Sequence, residues 1–186
     1  MDNSLGKLVM TLTIIGIISA LALTFVYEWT TPYINKHSAK AREKAVFEVI
    51  PGAEEYKEVQ KNGTTFFEGY GETGNRVGVA IIESGPGFQG MIKMMVGVNM
   101  NDKTINGIRI LEHQETPGLG ALITNKEYKS NFVEKPFNDN YEVVKKDTSD
   151  PNKVEAIAGA TISSQKVTDI VENAVKKIKA AYGGGN

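Results

Sequence analysis

Gly159-Ala160-Thr161, followed by Ile162-Ser163-Ser164, is the stretch of this 186-residue chain whose residue types and spacing are best suited to chemistry. From Gln165 onward the apolar residues fall at Val167, Ile170, Val171, Ala174, Val175 and Ile178, the spacing of a one-faced amphipathic helix. That spacing predicts a helix with Ser163 or Ser164 at its N-cap. Unsatisfied backbone N–H groups and the positive end of the helix dipole would then point back toward Gly159, Ala160 and Thr161. An anion is stabilised at such a place, and a phosphate is the usual one. Gly and Ala let a bulky group approach the backbone closely, and Thr161 offers a hydroxyl at the same position. The same residues also fit an ordinary Ser-capped helix after a glycine turn.

Two other stretches carry information. In His113-Gln114-Glu115-Thr116-Pro117-Gly118-Leu119-Gly120, Thr-Pro-Gly favours a type II turn, with Pro117 preset and Gly118 taking positive φ. Gly85-Pro86-Gly87-Phe88-Gln89-Gly90 matches Gly-x-Gly-x-x-Gly, but Met91 to Val98 after it is strand-like where a dinucleotide site requires a helix. A nucleotide-binding βαβ unit is therefore not expected.

With these residues in view, the chain resembles the FMN-binding domains in the G subunit of the Rnf complex and the C subunit of the Na+-pumping NADH:quinone oxidoreductase. Glu155-Ala156-Ile157-Ala158-Gly159-Ala160-Thr161 is similar to the family's flavinylation motif. In that motif an acidic residue leads, a Ser/Thr-Gly-Ala-Thr run follows, and the last Thr carries FMN through a phosphoester bond. The resemblance implies covalent FMN on Thr161, with Gly159, Ala160, Ser163 and Ser164 as cofactor-binding residues. Glu155 stands where the family usually has Asp, and Ala158 where it usually has Ser or Thr. Both departures bear on recognition by the flavin-attaching enzyme, whereas Gly159-Ala160-Thr161 is intact.

Glu115-Thr116-Pro117-Gly118-Leu119-Gly120 resembles a second family signature, a loop that packs on the isoalloxazine ring. Glu115, Thr116, Gly118, Leu119 and Gly120 become candidate contacts on that ground, as do Gly87 and Gly90 of the glycine turn. The two signatures lie in the family's order, and the resemblance covers about Gly69 to Tyr182 plus the N-terminal anchor. It implies an electron-carrier subunit of a membrane-bound, ion-translocating ferredoxin:NAD oxidoreductase, relaying electrons between fixed partner subunits. A flavin transferase would attach the cofactor. The alternatives are a subunit of the quinone oxidoreductase, a free-standing flavin enzyme with an extracellular acceptor, and a membrane-anchored non-redox scaffold in which Thr161 stays unmodified.

Composition narrows the classes. The chain has no Cys, which removes thiolate-ligated iron–sulfur clusters, disulfides and a Cys nucleophile, so electron transfer would need an organic cofactor. His37 and His113 are the only two histidines and lie far apart, which argues against a zinc or haem site. A net charge of −1 and a pI near 6.2 argue against nucleic acid as a partner. No catalytic acid–base pair is expected. His113 suits a surface position or a flavin contact.

The elements that must position these residues begin with Leu8 to Tyr27, a run without a charged residue that spans about 30 Å as a helix. Tyr27, Trp29 and Tyr33 form the aromatic belt expected at a membrane interface. Ala20-Leu21-Ala22 resembles a signal-peptidase site, but apolar residues continue to Val26, which favours an uncleaved anchor. Lys36, Lys40, Arg42 and Lys44 after the span, against Lys7 before it, would place the C-terminal part in the cytoplasm under the positive-inside rule. The resemblance implies the extracytoplasmic side.

Ser38 to Ile50 is expected to be a stalk helix ended by Pro51-Gly52, followed by strands at Thr64 to Tyr70, Arg76 to Glu83, Met91 to Asn101 and Thr104 to Leu111 in antiparallel hairpins. A short helix over Asn125 to Phe132, a strand around Tyr141 to Val144 and a polar turn over Asp147 to Lys153 complete the chain. The expected class is α+β. Its divisions are a membrane anchor (1–35), a juxtamembrane helix (36–52), an FMN-binding domain (53–182) and a disordered tail (183–186).

Overall fold

Helix α1 runs Asp2–Val49 and holds the whole apolar run, with Pro32 inside it. The computed structural model describes residues 2–138, 140–146 and 149–183, with residues 2 and 3 described by backbone alone. It packs as two units, one up to Ala41 and one from Arg42 onward. In the first unit Leu8, Leu12, Ile15, Ile18, Leu23 and Phe25 are all more than half exposed, and nothing within that unit covers them. Among the described residues α1 is the one helix long and apolar enough to cross a membrane. The hydroxyls of Thr11, Thr13, Thr24, Thr30 and Thr31 each donate to the carbonyl four residues earlier, which satisfies them where lipid offers no partner.

The second unit is built on a five-stranded antiparallel sheet in simple meander order: β1 (Glu55–Lys61), β2 (Thr64–Tyr70), β3 (Arg76–Pro86), β4 (Met91–Asn99) and β5 (Thr104–Glu112). The rest comprises a 3-10 turn at Gly120–Thr124, α2 (Lys126–Ser130), β6 (Glu142–Val144), β7 (Lys153–Glu155) and α3 (Thr161–Tyr182). The α+β expectation holds, and the four expected strands sit at the expected places. The glycine turn is the loop of the β3–β4 hairpin, closed by the Gly87 N–H donating to the Gly90 carbonyl at 2.6 Å. A helix does not follow it.

Both faces of the sheet are covered. Helix α3 lays Val167, Ile170, Val171, Ala174, Val175 and Ile178 on one face, against Phe66, Val79, Ile81, Met94, Val96, Ile108 and their neighbours. Each fully buried Val or Ile there contributes about 1.5–3 kcal/mol of transfer free energy. Ala45, Val46, Val49 and Ile50 cover the other face, over Phe67, Ala80 and Met95. The end of the expected stalk is therefore a packed layer of the domain.

Glycines on the sheet make that approach possible. A Cβ on Gly97 would run into the Val49 carbonyl oxygen and stand 2.7 Å from Val49 Cβ, and one on Gly78 would stand 2.7 Å from Ile50 Cγ2. Glu48 continues the attachment, with carboxylate oxygens 3.0 Å from Arg109 on β5 and 2.9 Å from Lys129 on α2. Gly97→Val is expected to destabilise the domain by about 1–3 kcal/mol through overpacking. A lowered melting temperature of the detergent-solubilised protein would register it, and an unchanged one would contradict this packing.

Some features of the fold go beyond these expectations. The membrane span and the juxtamembrane helix form one helix, ending at Val49 before Gly52 with φ +82°. β1 is an edge strand of mostly charged residues, held by pairing with β2 and by Tyr56, whose ring packs on Phe67 and the cluster around Ala45, Val46 and Val49. β6 and β7 pair in parallel, a contact between segments too far apart for hairpin signals to reveal. The tail beyond Gly183 and part of the turn that begins at Asp147 lie outside the described residues.

Candidate flavin site

The start of α3 lies about one turn closer to Gly159 than its apolar spacing predicts. Ala160 occupies the N-cap without a side-chain cap, and Thr161 is the first helical residue. The α-helical ladder begins with the Ser164 N–H donating to the Ala160 carbonyl at 3.0 Å, so the N–H groups of Thr161, Ile162 and Ser163 come ahead of it. Ser163 and Ser164 are not N-caps, and both are buried in the first turn. Their hydroxyls are engaged elsewhere. Ser164 Oγ accepts the Ile157 N–H at 3.0 Å and donates to the Ala160 carbonyl at 3.0 Å, folding the motif back on the helix it precedes. Ser163 Oγ donates to Glu115, a partner 48 residues away that no local pattern could reveal.

Glu115 is 4 % exposed. One carboxylate oxygen accepts the Phe88 and Gln89 N–H groups at 2.8 and 3.1 Å, and the other accepts the Ser163 hydroxyl. Burial alone would push its carboxyl up. The Ser163 hydroxyl and the N–H groups of Gln89, Phe88 and Gly90 outweigh that and hold it below the ordinary carboxylate range. The Glu115 N–H in turn donates to His113 Nδ1 at 3.2 Å, which gives that half-buried histidine a place in the loop.

The loop after β5 turns as expected. The Leu119 N–H donates to the Thr116 carbonyl at 3.2 Å across Pro117 and Gly118, and Gly118 has φ +76°. Gly120 has no room for a side chain, since a Cβ there would stand 2.6 Å from Glu115 Oε2 and 2.7 Å from Ser163 Oγ. On Gly87 a Cβ would stand 2.8 Å from the Gly90 carbonyl oxygen, and on Gly90 it would run into Gln114. Leu119 lies over the Gly159 turn, where φ is +77° and a Cβ would come within 3.2 Å of Leu119 Cδ2.

Three segments thus meet around a cleft of about 320 Å³ lined by Phe88, Glu115, Thr116, Leu119, Gly120 and residues 159–163. The structure brings most of the sequence-predicted site residues together here. Gly87, Gly90 and Ser164 do not line the cleft: the two glycines lie in the hairpin that carries Phe88, and Ser164 is buried behind the motif, bonded to Ile157 and Ala160. Sequence reasoning missed Phe88 and Ile162, which are 60 % and 53 % exposed and rim the cleft with Leu119. The available signal was that an aromatic flanked by turn glycines, and an Ile off the buried stripe of α3, have no core to enter. It also missed Tyr128 of α2, whose buried hydroxyl donates to the Ser164 carbonyl at 3.1 Å.

Thr161 is exposed at the edge of the cleft, beside the N–H groups that open α3. A phosphate fits there by charge, and the apolar rim of Phe88, Leu119 and Ile162 fits a flat aromatic ring. These residues suit FMN. Among the described residues no group of His, Asp or Glu could hold a metal ion.

Residues 87–176 match the FMN-binding domain family. The chain is 34 % identical to the G subunit of the ion-translocating oxidoreductase complex of Methanosarcina acetivorans, over 98 % of each chain. It is 29 % identical to the G subunit of the proton-translocating ferredoxin:NAD(+) oxidoreductase complex of Clostridium ljungdahlii, over 98 % of this chain and 96 % of that one. The crystal structure of the C subunit of Na(+)-translocating NADH-quinone reductase from Parabacteroides distasonis superposes with a TM-score of 0.64 at 19 % identity, covering 82 % of this chain and 97 % of that one, a likeness of fold. A relative 34 % identical along nearly the whole length of both chains shows that this chain belongs to the G-subunit family of ion-translocating, Rnf-type oxidoreductase complexes, and it carries an FMN-binding domain.

Proposed function

We propose that the protein is the electron-carrying subunit of a membrane-bound ion-translocating ferredoxin:NAD oxidoreductase, with FMN held as a phosphoester on Thr161 Oγ1. The observation that carries this reading is the exposed residue Thr161 at the first position of α3, ahead of the hydrogen-bond ladder and lining the apolar-rimmed cleft. FMN supplies a reversible acceptor and donor of electrons. The N–H groups of Thr161, Ile162 and Ser163 would hold its phosphate charge, while Phe88, Leu119 and Ile162 would shield the ring from water on several sides. A covalent link suits relay between fixed partners, because a tethered carrier cannot leave as a diffusing cosubstrate would. The subunit then passes electrons on and is not catalytic alone.

A flavin transferase is the maturation partner this chemistry requires, since forming the ester joins flavin phosphate to Thr161 Oγ1 with net loss of water. The protein made alongside such an enzyme is expected to give a flavin-fluorescent band on a denaturing gel under ultraviolet light. A dark band would favour the scaffold reading, with Glu155 and Ala158 as the departures that prevent attachment.

The α1 span anchors the protein in the membrane, and the FMN domain is proposed to lie on the extracytoplasmic side, against the pull of Lys36, Lys40, Arg42 and Lys44. A folded domain can translocate despite flanking positive charge. Protease added to wall-stripped intact cells is expected to degrade the domain. Full protection would return the topology to the positive-inside rule.

A further inference from the structure

Glu115 joins three segments of the domain. Its Oε1 holds the tip of the β3–β4 hairpin through the Phe88 and Gln89 N–H groups, its Oε2 holds the first turn of α3 through the Ser163 hydroxyl, and its own backbone belongs to the loop after β5. Each segment contributes one exposed apolar residue to the cleft: Phe88 from the hairpin, Leu119 from the loop and Ile162 from the helix. Gly87 and Gly120 have hydrogen where a side chain would strike the carboxylate. At 4 % exposure, with both oxygens engaged, this carboxylate presents almost nothing of itself to the cleft.

We infer that Glu115 is a positioning residue for the flavin, setting the ring's environment through Phe88 and Ile162 rather than by touching it. The inference rests on the reading that Thr161 carries FMN. Both carboxylate oxygens of Glu115 are already engaged by the walls, Oε1 by the hairpin and Oε2 by the helix. Such preorganised support fixes where ring-facing groups sit before the ligand arrives.

The test uses the full-length protein in detergent, made with a flavin transferase, as wild type, Glu115→Ala, Glu115→Gln and Ser163→Ala. Covalent flavin is read on a denaturing gel, and the native visible spectrum, native flavin fluorescence and midpoint potential are read on the folded protein. All four are expected to carry flavin, because attachment depends on Thr161. Glu115→Ala should displace the visible band, raise native fluorescence as the ring loses its cover, and shift the potential. Ser163→Ala should change the same readouts in the same direction by less, since it frees only the helix.

Glu115→Gln should restore the wild-type spectrum. Its carbonyl can still accept from Phe88 and Gln89, and its amide can donate to a rotated Ser163 hydroxyl. If Gln behaves like Ala, charge and not position is responsible, and the inference fails. Wild-type spectrum and potential in Glu115→Ala, even with a lower melting temperature, would make the residue merely structural. Where Glu115→Ala does not accumulate, Ser163→Ala decides: an altered native spectrum supports positioning and an unaltered one overturns it. A wild-type chain without flavin overturns the functional reading together with this one, whereas a flavinylated set with identical spectra overturns this one alone.

Discussion

Thr161→Ala is expected to abolish covalent flavin completely while leaving the fold intact. The residue is exposed and is the first of α3, so truncation opens no cavity, and Ala is at least as good a helix former there. Its effect on stability should stay within about 0.5 kcal/mol, the range of ordinary surface substitutions. The gel band should go dark and the melting temperature of the apoprotein should hold. Neighbouring hydroxyls offer no substitute: Ser163 donates to Glu115, Ser164 is tied to Ala160 and Ile157, and both are buried. A Thr161→Ala protein that keeps its fluorescent band would place the attachment elsewhere.

Gly120→Val should be the most damaging change in the loop, and for a different reason from Gly118→Val. At Gly120 the first added carbon would already stand 2.6 Å from Glu115 Oε2 and 2.7 Å from Ser163 Oγ, two atoms that cannot both retreat without breaking the link between loop and helix. Overpacking of this kind costs about 1–3 kcal/mol, and the separation of a buried carboxylate from its donor adds to it. Gly118 faces open space, so a side chain there meets only the backbone cost of φ +76° for a β-branched residue, about 1–3 kcal/mol. Gly118→Val should therefore keep covalent FMN and show a shifted potential or slower electron transfer in the assembled complex. Gly120→Val should in addition lose folded protein and flavin yield. Melting temperatures of Gly118→Ala and Gly120→Ala give the cleanest comparison, with Gly120→Ala the lower, and equal values would contradict the close approach.

Much of this was legible in the chain, for identifiable physical reasons. The α3 stripe from Val167 to Ile178 repeats at the helical period, and every one of those residues is buried. The strands from Thr64 to Glu112 are separated by turn residues whose φ is positive at Gly74 and Lys103. The Thr-Pro-Gly turn follows from local chemistry alone. What failed was what depended on distant partners. Ser163 and Ser164 look like caps in one dimension, but in three Ser163 serves Glu115 and Ser164 serves Ile157, which lets α3 start at Thr161. Gly69, Gly78 and Gly97 look like weak points in strands until Val49 and Ile50 are seen to pack on them. β1, with the sequence Glu-Tyr-Lys-Glu-Val-Gln-Lys, carries only a weak apolar signal, because at the sheet edge Tyr56 and Val59 are only half-buried and the rest are polar or charged.

The most direct test of covalent attachment at Thr161 is peptide mass spectrometry of the protein matured with a flavin transferase. The peptide containing residues 155–165 is expected to gain the mass of FMN less one water, with fragment ions assigning it to Thr161. The same mass on Ser163 or Ser164, or a peptide of unmodified mass from fully matured protein, would contradict it.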